Sequence, residues 1–429
     1  MASNNITQVV DAGLCVQCGV CESACTLPGA VCMQWHSHEG WLPSVDHSLC
    51  SACGFCLQIC PGLAVEFEDL SRDFLDGPHD DTLIGRYAAC YAGFARQEAI
   101  RVRSTSGGAV TALLLSALAT GRIDGAVVVR MDPQHALRSQ VYLARTEAEI
   151  RAAAGTKYCT APVGAMIRNL LSLDGKYAVV GLPCVIHSLR KLQKISRRYR
   201  EKIPLVIGLF CGKNFLGGAL MGVVKQQGIQ PDEVADIQYR ADGWPGFLRI
   251  RTVNGQTCRV PYGDYYDGSV FRSWAMPRCC LCTDGVAELA DIACGDAWLP
   301  RFRTGDQRGT SVIVARTSAA ARLLDDAGDE LLCIEPLTAD EVKSSQLSML
   351  HRKKRQVVVH LGIRRLLGDR FPKYQQKLLR PRAVDFLRFL VSLLPARSVA
   401  GLRRLRSAAR RTRVFVSNHF GRVFARDGH

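Results

Sequence analysis

The chain has 429 residues, 19 of them cysteine, and a formal net charge of +16. That length can supply two or three domains with full cores, so disulfide staples are not needed for stability. Met1–Asp11 is polar, with neither a basic lead nor an apolar run, and the longest apolar runs fall short of the roughly 18 residues of a spanning helix, which together exclude a secreted disulfide framework and a membrane span.

The densest signal comes first. Cys15-x2-Cys18-x2-Cys21-x3-Cys25 is followed by Cys50-x2-Cys53-x2-Cys56-x3-Cys60-Pro61. Two-residue gaps let three thiolates of one loop reach three corners of a cube, and the three-residue gap opens a helical turn that swings the fourth to a second cube. The expected wiring is crossed: Cys15, Cys18, Cys21 and Cys60 on one [4Fe-4S] cluster, and Cys50, Cys53, Cys56 and Cys25 on the other. Zinc is the alternative, but a four-ligand site has no use for a doubled run of this kind. Cys25 departs from the usual pattern because Thr26, not proline, follows it, and Cys32 is a spare thiol. Met33–Val45, with Trp35, His36, His38 and Trp41, reads as a hairpin that shields the clusters.

Residues 1–75 are thus expected to form an α+β, ferredoxin-like domain with two clusters, and Asp73–Asp81 reads as a linker. From Tyr87 to Thr317, β-branched runs (Gly125–Val129, Tyr177–Gly181, Leu205–Leu209, Ser311–Ala315) alternate with helical stretches (Val110–Ala119, Val163–Leu173, Val185–Ile195, Phe215–Gln226). The alternation predicts an α/β domain over 85–345 with a largely parallel sheet. Between Ile237 and Val260 the turn signals Gly243, Pro245 and Asn254-Gly255 predict hairpins.

Cys184 and Cys211 each follow a predicted strand, which would bring both to the carboxyl edge of one sheet. Cys279-x2-Cys282 supplies two more thiols, with Cys280 beside the first, so Cys184, Cys211, Cys279 and Cys282 can hold a third [4Fe-4S] cluster; buried apolar roles for Cys184 and Cys211 are the alternative. Ser106-Gly107-Gly108 stands before a helix, as a phosphate cradle does, although an ordinary helix cap explains it equally well.

Taken with Thr111-Ala112-Leu113, Gly155-Thr156-Lys157-Tyr158, Gly181-Leu-Pro-Cys184, Phe210-Cys211-Gly212 and Ala290-Asp291-Ile292 with Gly295-Asp296, these residues resemble the family of β subunits of coenzyme F420 hydrogenases and dehydrogenases over roughly 85–345. The resemblance implies an FAD-binding α/β domain with a cluster near the flavin. Carried over by position, Ser106, Gly107, Gly108 and Thr111 would face the FAD phosphates. Lys157 would lie near flavin or substrate as the catalytic cation, and Asp296 near the cofactor or third cluster. Cys294 departs from the pattern, which has a smaller residue there. The implied activity is a flavin- and iron–sulfur-dependent oxidoreductase that passes electrons between ferredoxin-type clusters and a two-electron substrate such as coenzyme F420. A reductase of a tetrapyrrole or saccharide-pathway intermediate, or a non-catalytic relay within a larger complex, would use the same parts.

The charge is local. From His351 to the end, 21 Lys and Arg face three acids, Asp369, Asp385 and Asp427, so the remaining body is nearly neutral. In this tail, 346–429, apolar residues interleave with arginine, as in Val384–Leu394 and Leu402–Arg406, which predicts basic amphipathic helices on an anionic membrane surface. Nucleic acid is disfavoured because aromatic stacking residues are absent over most of it. A second cationic stretch, Arg190–Lys202, suits an acidic partner or a solvated helix face. The expected partners are a ferredoxin or other redox protein, F420 or another small substrate, and a second copy of the chain. The expected location is the cytoplasm, at the inner membrane face if the tail docks there.

Overall fold

Val-, Ile- and Ala-rich runs, buried on both faces, assemble into one eight-stranded sheet. The computed structural model describes residues 4–305 and 307–393, and the chain divides into two compact units, Met1–Leu379 and Arg380–His429.

In the larger unit the chain opens with the cysteine loops and an antiparallel hairpin of β1 (Val31–His36) and β2 (Gly40–Val45). The main sheet then takes β3 (Ala89–Ala95), β4 (Gly125–Met131), β5 (Ser139–Ala144), β6 (Tyr177–Gly181) and β7 (Leu205–Leu209). A three-stranded meander follows, β8 (Val234–Ala241), β9 (Phe247–Thr252) and β10 (Thr257–Pro261), turning at Asn254-Gly255 as predicted. The chain returns to the main sheet with β11 (Ile292–Asp296), β12 (Ser311–Ala315) and β13 (Leu332–Leu337). The order across it is β13-β3-β12-β11-β7-β6-β4-β5.

The sheet is mixed. Its parallel part is the central set β4, β6, β7 and β11, whereas β5, β12, β3 and β13 pair antiparallel. The expectation of a largely parallel sheet therefore describes the centre only. The segment 297–310 carries the four-residue helical turn Pro300–Arg303, too short to span the sheet as a crossover helix does, and β12 returns antiparallel to β11.

Helix α1 (Ala109–Ala119) is buried nearly all round, as its continuous apolar composition requires. It starts after Gly108, whose φ of 80° puts it in the left-handed region. Helix α2 (Pro183–Ile195) starts with proline at its first position, where no amide hydrogen is needed. Late in the unit, α3 (Leu347–His351) and α4 (Val357–Leu366) run on either side of a π-bulge at Arg352–Gln356.

The cysteine-bearing segment shares a core with the sheet. Val20, Ile59, Phe67 and Leu70 pack in the same buried cluster as Val163, Tyr177, Val179, Ile186, Leu189 and Val206. Polar ties reinforce the join: Ser188 Oγ donates to Ile59 O at 2.9 Å, and Tyr199 Oη to Ser23 O at 2.8 Å. The cationic stretch belongs to this join. Arg190 pairs with Asp291, Lys191 with Glu66, Lys194 with Asp73 and Arg197 with Glu201, while Arg200 and Lys202 donate to the carbonyls of Asp73 and Leu173. Most of these charges are spent inside the chain, so the stretch offers little to an acidic partner.

In the smaller unit, α5 (Ala383–Leu393) is the helix among the described residues, and Leu402–Arg406 lies outside them. Among the described residues no helix is long and apolar enough to cross a membrane.

Candidate metal centres and cofactor loops

Twelve cysteines gather into three groups of four. The outer group, Cys25, Cys50, Cys53 and Cys56, lines a cavity with about 330 Å³ of atom-free space, together with Asn5, Leu27 and Val31. The inner group, Cys15, Cys18, Cys21 and Cys60, lines one of about 290 Å³ with Met33, Pro43 and Ser188. The β1–β2 hairpin thus supplies walls to both. Its tip reaches the other way: Gly218 N donates to His38 O at 2.9 Å, and the His38 ring stacks on Trp274 at 5.8 Å.

The third group sits at the carboxyl edge of the sheet. Cys184 is on the first turn of α2, just past β6, Cys211 just past β7, and Cys279 and Cys282 on and after the helical turn Pro277–Leu281. Asn214 N donates to Cys279 Sγ at 3.3 Å, whereas Cys280 is exposed. Cys294 is a buried core residue of β11.

Burial dominates the thiols. It pushes Cys15 and Cys18 up to about 12 and Cys56 to about 11, and it raises Cys21, Cys184 and Cys211 well above the ordinary range. Neighbouring thiols add to the effect along one line. Cys21 feels Cys18 within its own group and Cys56 of the outer group, and Cys184 feels Cys18 of the inner group as well as Cys282 and Cys279. The three groups therefore form a row, outer to inner to third. Desolvated thiols close to one another are unfavourable as bare anions, and a metal that takes their protons' place relieves this.

The donor set fits a cluster better than a single ion. Four thiolates on one zinc, each about 2.3 Å from it, would lie within about 4 Å of one another. Among the described residues no group of three or more His, Cys, Asp or Glu converges to hold one metal ion. All-sulfur donors spread around a cavity suit a polynuclear iron–sulfur core.

Side chains that sequence reasoning missed surround these groups. Arg278, 3% exposed, donates from Nη2 to Pro61 O and Tyr374 Oη, both at 2.9 Å. Lys353, also 3% exposed, sits on the π-bulge and donates to Cys279 O at 3.3 Å. Burial opposes its charge, but Cys282, Cys279 and Cys211 together hold the ammonium above the usual lysine range. Its neighbour Lys354 pairs with buried Glu288. The basic region after His351 thus begins inside the fold, and Lys373–Tyr374 even adds a short parallel strand to Ala64–Val65. A π-bulge in an otherwise α-helical run was the physical feature to look for, but composition does not announce it.

The predicted phosphate-cradle residues meet a second loop. Gly107 is wedged where a Cβ would lie 2.4 Å from Gly93 O, and its amide donates to Ser311 Oγ at 3.0 Å. Ser106 Oγ donates to Thr310 O at 2.7 Å, and Thr111 is buried on α1. Thr156 N donates to Thr105 Oγ1, tying the loop around Ser106 to the loop around Gly155. Ser104 Oγ, on the same turn, is buried without a hydrogen-bond partner. An unsatisfied buried hydroxyl beside a helix start is what a bound anionic group would complete. Lys157 does not reach outward from this place. Its ammonium donates to the carbonyls of Ala153, Ala154 and Gly155, and burial pulls it down to about 7.

Asp296, at the end of β11, accepts two bonds from Arg240, at 2.6 and 3.0 Å, and one from Trp244 Nε1 at 2.8 Å. Arg240 is buried and lies over the Tyr262 ring at 4.7 Å. Around it, Tyr158, Tyr239, Tyr262, Tyr265 and Tyr266 form an aromatic cluster, and the hydroxyls of Tyr239 and Tyr265 are buried without partners. Asp296 is thus spent on an ion pair that anchors the meander to the sheet.

Residues 90–168 match the N-terminal family model of the coenzyme F420 hydrogenase/dehydrogenase beta subunit, and 174–340 match its C-terminal model. The chain belongs to this family. It is 26% identical over 318 residues to a subunit of the F420H2 dehydrogenase of Methanosarcina mazei, covering 68% of this chain and 86% of that one. It is 26% identical over 270 residues to the beta subunit of coenzyme F420 hydrogenase of Methanosarcina barkeri, covering 62% and 86%. A coenzyme F420-dependent sulfite reductase of Methanocaldococcus jannaschii is 25% identical over 368 residues, 82% of this chain but 51% of that protein. In fold, the chain is similar to one from the F420-reducing [NiFe] hydrogenase complex of Methanosarcina barkeri, with a TM-score of 0.55, 24% identity, and coverage of 68% of this chain and 96% of that one. These relatives are oxidoreductases by name.

Proposed function

We propose that this protein is a flavin- and iron–sulfur-dependent oxidoreductase that moves electrons between a single-electron donor or acceptor and a hydride carrier of the coenzyme F420 type. The observation that carries the reading is the row of three four-cysteine groups ending at the carboxyl edge of the sheet. The names of the relatives, an F420H2 dehydrogenase and an F420 hydrogenase, supply the substrate class.

In this reading Cys25, Cys50, Cys53 and Cys56 hold one [4Fe-4S] cluster, Cys15, Cys18, Cys21 and Cys60 a second, and Cys184, Cys211, Cys279 and Cys282 a third. FAD would rest on the turn Ser104–Gly108, where Ser106 and Gly107 hold the turn's shape and Gly108 and Thr111 begin the helix beneath it. Flavin exchanges a hydride on one side and single electrons on the other, and clusters carry one electron at a time. The chain's own residues bind, orient and exclude water: Lys157 caps and fixes the Gly155 loop, and Arg240 with Asp296 fixes the meander. Cys53 is exposed, so a ferredoxin or similar protein would meet the outer group, and the unit Arg380–His429 would rest on an anionic membrane surface.

The test is anaerobic purification of the full chain with iron, sulfide and flavin analysis, followed by mixing with reduced F420. About twelve irons, bound FAD and bleaching of the cluster absorbance on mixing are expected. A colourless zinc protein, or one that takes up no flavin, would refute the reading.

A further inference from the structure

Lys213 and Arg352 are two cations that the fold brings together without an acid. Lys213 lies in the loop after β7, and Arg352 opens the π-bulge Arg352–Gln356. The extra residue of a π-bulge turns neighbouring side chains out of α-helical register, and such bulges recur at functional sites. Here Lys353 and Lys354 are buried while Arg352 is exposed, with its Nη2 3.3 Å from where a Cβ on Gly212 would stand. Tyr266 Oη is 3.5 Å from the same point. The Lys213 ammonium lies over ring faces, 5.1 Å from the Tyr266 centroid and 5.3 Å from that of Phe215, which leaves its hydrogens free to donate elsewhere. A guanidinium, an ammonium and a hydroxyl thus meet around a glycine that places no side chain among them.

Among the described residues Lys213 and Arg352 form no ion pair and no side-chain hydrogen bond, although exposed Asp267 adjoins Tyr266. The amides of Gly212 and Lys213 likewise donate to nothing in the chain. Exposed arginines elsewhere do find acids: Arg249 and Arg259 share Asp242, and Arg301 takes Glu335 and Glu341. Like charges held close without an acid repel, so this arrangement becomes favourable when an anion enters it. Its donors suit the oxygens of a phosphate or carboxylate.

A row of rings leads away from the cations. Tyr266 stacks on Tyr262 with centroids 5.0 Å apart, and Tyr262 on Trp298 at 6.3 Å, each pair within 23° of parallel. All three rings are half-buried, and Trp298 stands just past the end of β11. Partly exposed ring faces favour a flat, conjugated ligand.

We propose that Gly212, Lys213, Tyr266 and Arg352 seat an acid group, phosphate or carboxylate, of the small hydride-exchanging substrate, whose ring system lies along Tyr266, Tyr262 and Trp298. The inference rests on the oxidoreductase reading above and deepens it: the substrate is a flat molecule with an anionic arm. The seat binds and orients; no hydrogen is transferred there.

The experiment has two arms, both on the anaerobically loaded full chain. In the first, lysines are acylated with acetic anhydride and read by mass spectrometry, alone and with inorganic pyrophosphate or citrate. One anion or both should cut labelling of Lys213 several-fold and leave exposed Lys225 unchanged; pyrophosphate alone marks a phosphate seat, citrate a carboxylate one. Arg352→Met should abolish the protection while keeping its iron and flavin. Should it lose either, Tyr266→Phe, which removes only the hydroxyl, is expected to weaken the protection instead. Labelling of Lys213 that neither anion alters would overturn the proposal, as would full protection in the variant. In the second arm, binding of coenzyme F420 is compared with that of its ring system lacking the anionic arm. Lys213→Met and Arg352→Met should each weaken F420 about tenfold and leave the armless ring unmoved. An equal loss for both compounds would overturn the seat. A wild type that binds neither compound, yet has Lys213 protected by an anion, keeps the seat and defeats the F420-type reading instead.

Discussion

His187 Nε2 stands 2.8 Å from Asp284 Oδ2, with both side chains sealed from solvent. The contact joins α2, three residues past Cys184, to the loop two residues past Cys282. Asp284 also accepts the amides of Val286 and Glu288, each at 2.9 Å. Burial opposes its ionisation, but His187, Lys354 and the Glu288 amide hold the carboxyl down to about 2. Asp284→Ala strands two buried amides and an imidazole, so a loss of about 3–5 kcal/mol is expected. Denaturant unfolding measures the loss. Iron analysis should show the third group emptied first, since its two halves are no longer latched.

The cysteine groups are separable by iron content. Cys211→Ala should leave about eight irons of about twelve, and Cys280→Ala should leave them all. A full complement in Cys211→Ala would remove that residue from the ligand set.

Arg240 and Asp296 form a pair whose removal is expected to unfasten the meander. Arg240→Met leaves a largely buried carboxylate facing no cation, at a cost of about 3–5 kcal/mol. The check is thermal unfolding together with flavin retention. An unchanged melting temperature would mean that the meander is held by its aromatic cluster alone.

Lys157 carries a pH signature. Burial pulls it from the ordinary lysine value to about 7, so between about pH 7 and 10 the unfolded chain binds this proton and the folded chain releases it. Its contribution to stability therefore rises with pH across that window. Lys157→Met lacks the penalty, and its melting temperature relative to wild type should be higher at pH 7 than at pH 9.5. A flat difference would mean that the three carbonyls keep the ammonium charged throughout.

The smaller unit has an apolar arc. Val384, Phe386, Leu387 and Leu390 of α5 are 45–58% exposed and share an arc of roughly 160° at helical spacing. Arg380, Arg382 and Arg388 accompany them, and nine more arginines follow against one acid. Full-length protein should float with phosphatidylglycerol vesicles and not with phosphatidylcholine ones, and a chain ending at Leu379 should float with neither. Equal partition of the two chains would dismiss the membrane.

Much of this was legible in the sequence because spacing carries it. Cysteines at gaps of two and three residues, a glycine pair before a helix, and β-branched runs of five residues all encode local geometry. Strand direction was not legible: Ser311–Ala315 is buried at every position, and a run without alternation fits parallel and antiparallel neighbours alike. Nor was Arg278, whose role comes from loops more than 200 residues apart meeting around one guanidinium. Lys353 and Lys354 were hidden by company, two buried cations inside a long cationic stretch of the sequence. In Arg190–Lys202 the reverse holds, since its charges face partners that composition cannot reveal.

The shared core of Val20, Ile59, Phe67 and Leu70 with the strands has a consequence for biogenesis. A detachable cassette could mature on its own and be exchanged between proteins, but here the first seventy residues complete the hydrophobic interior of the rest. Cofactor loading and acquisition of the native state should therefore be one event, and cells starved of iron should accumulate protease-sensitive chains rather than a stable, cluster-free remainder.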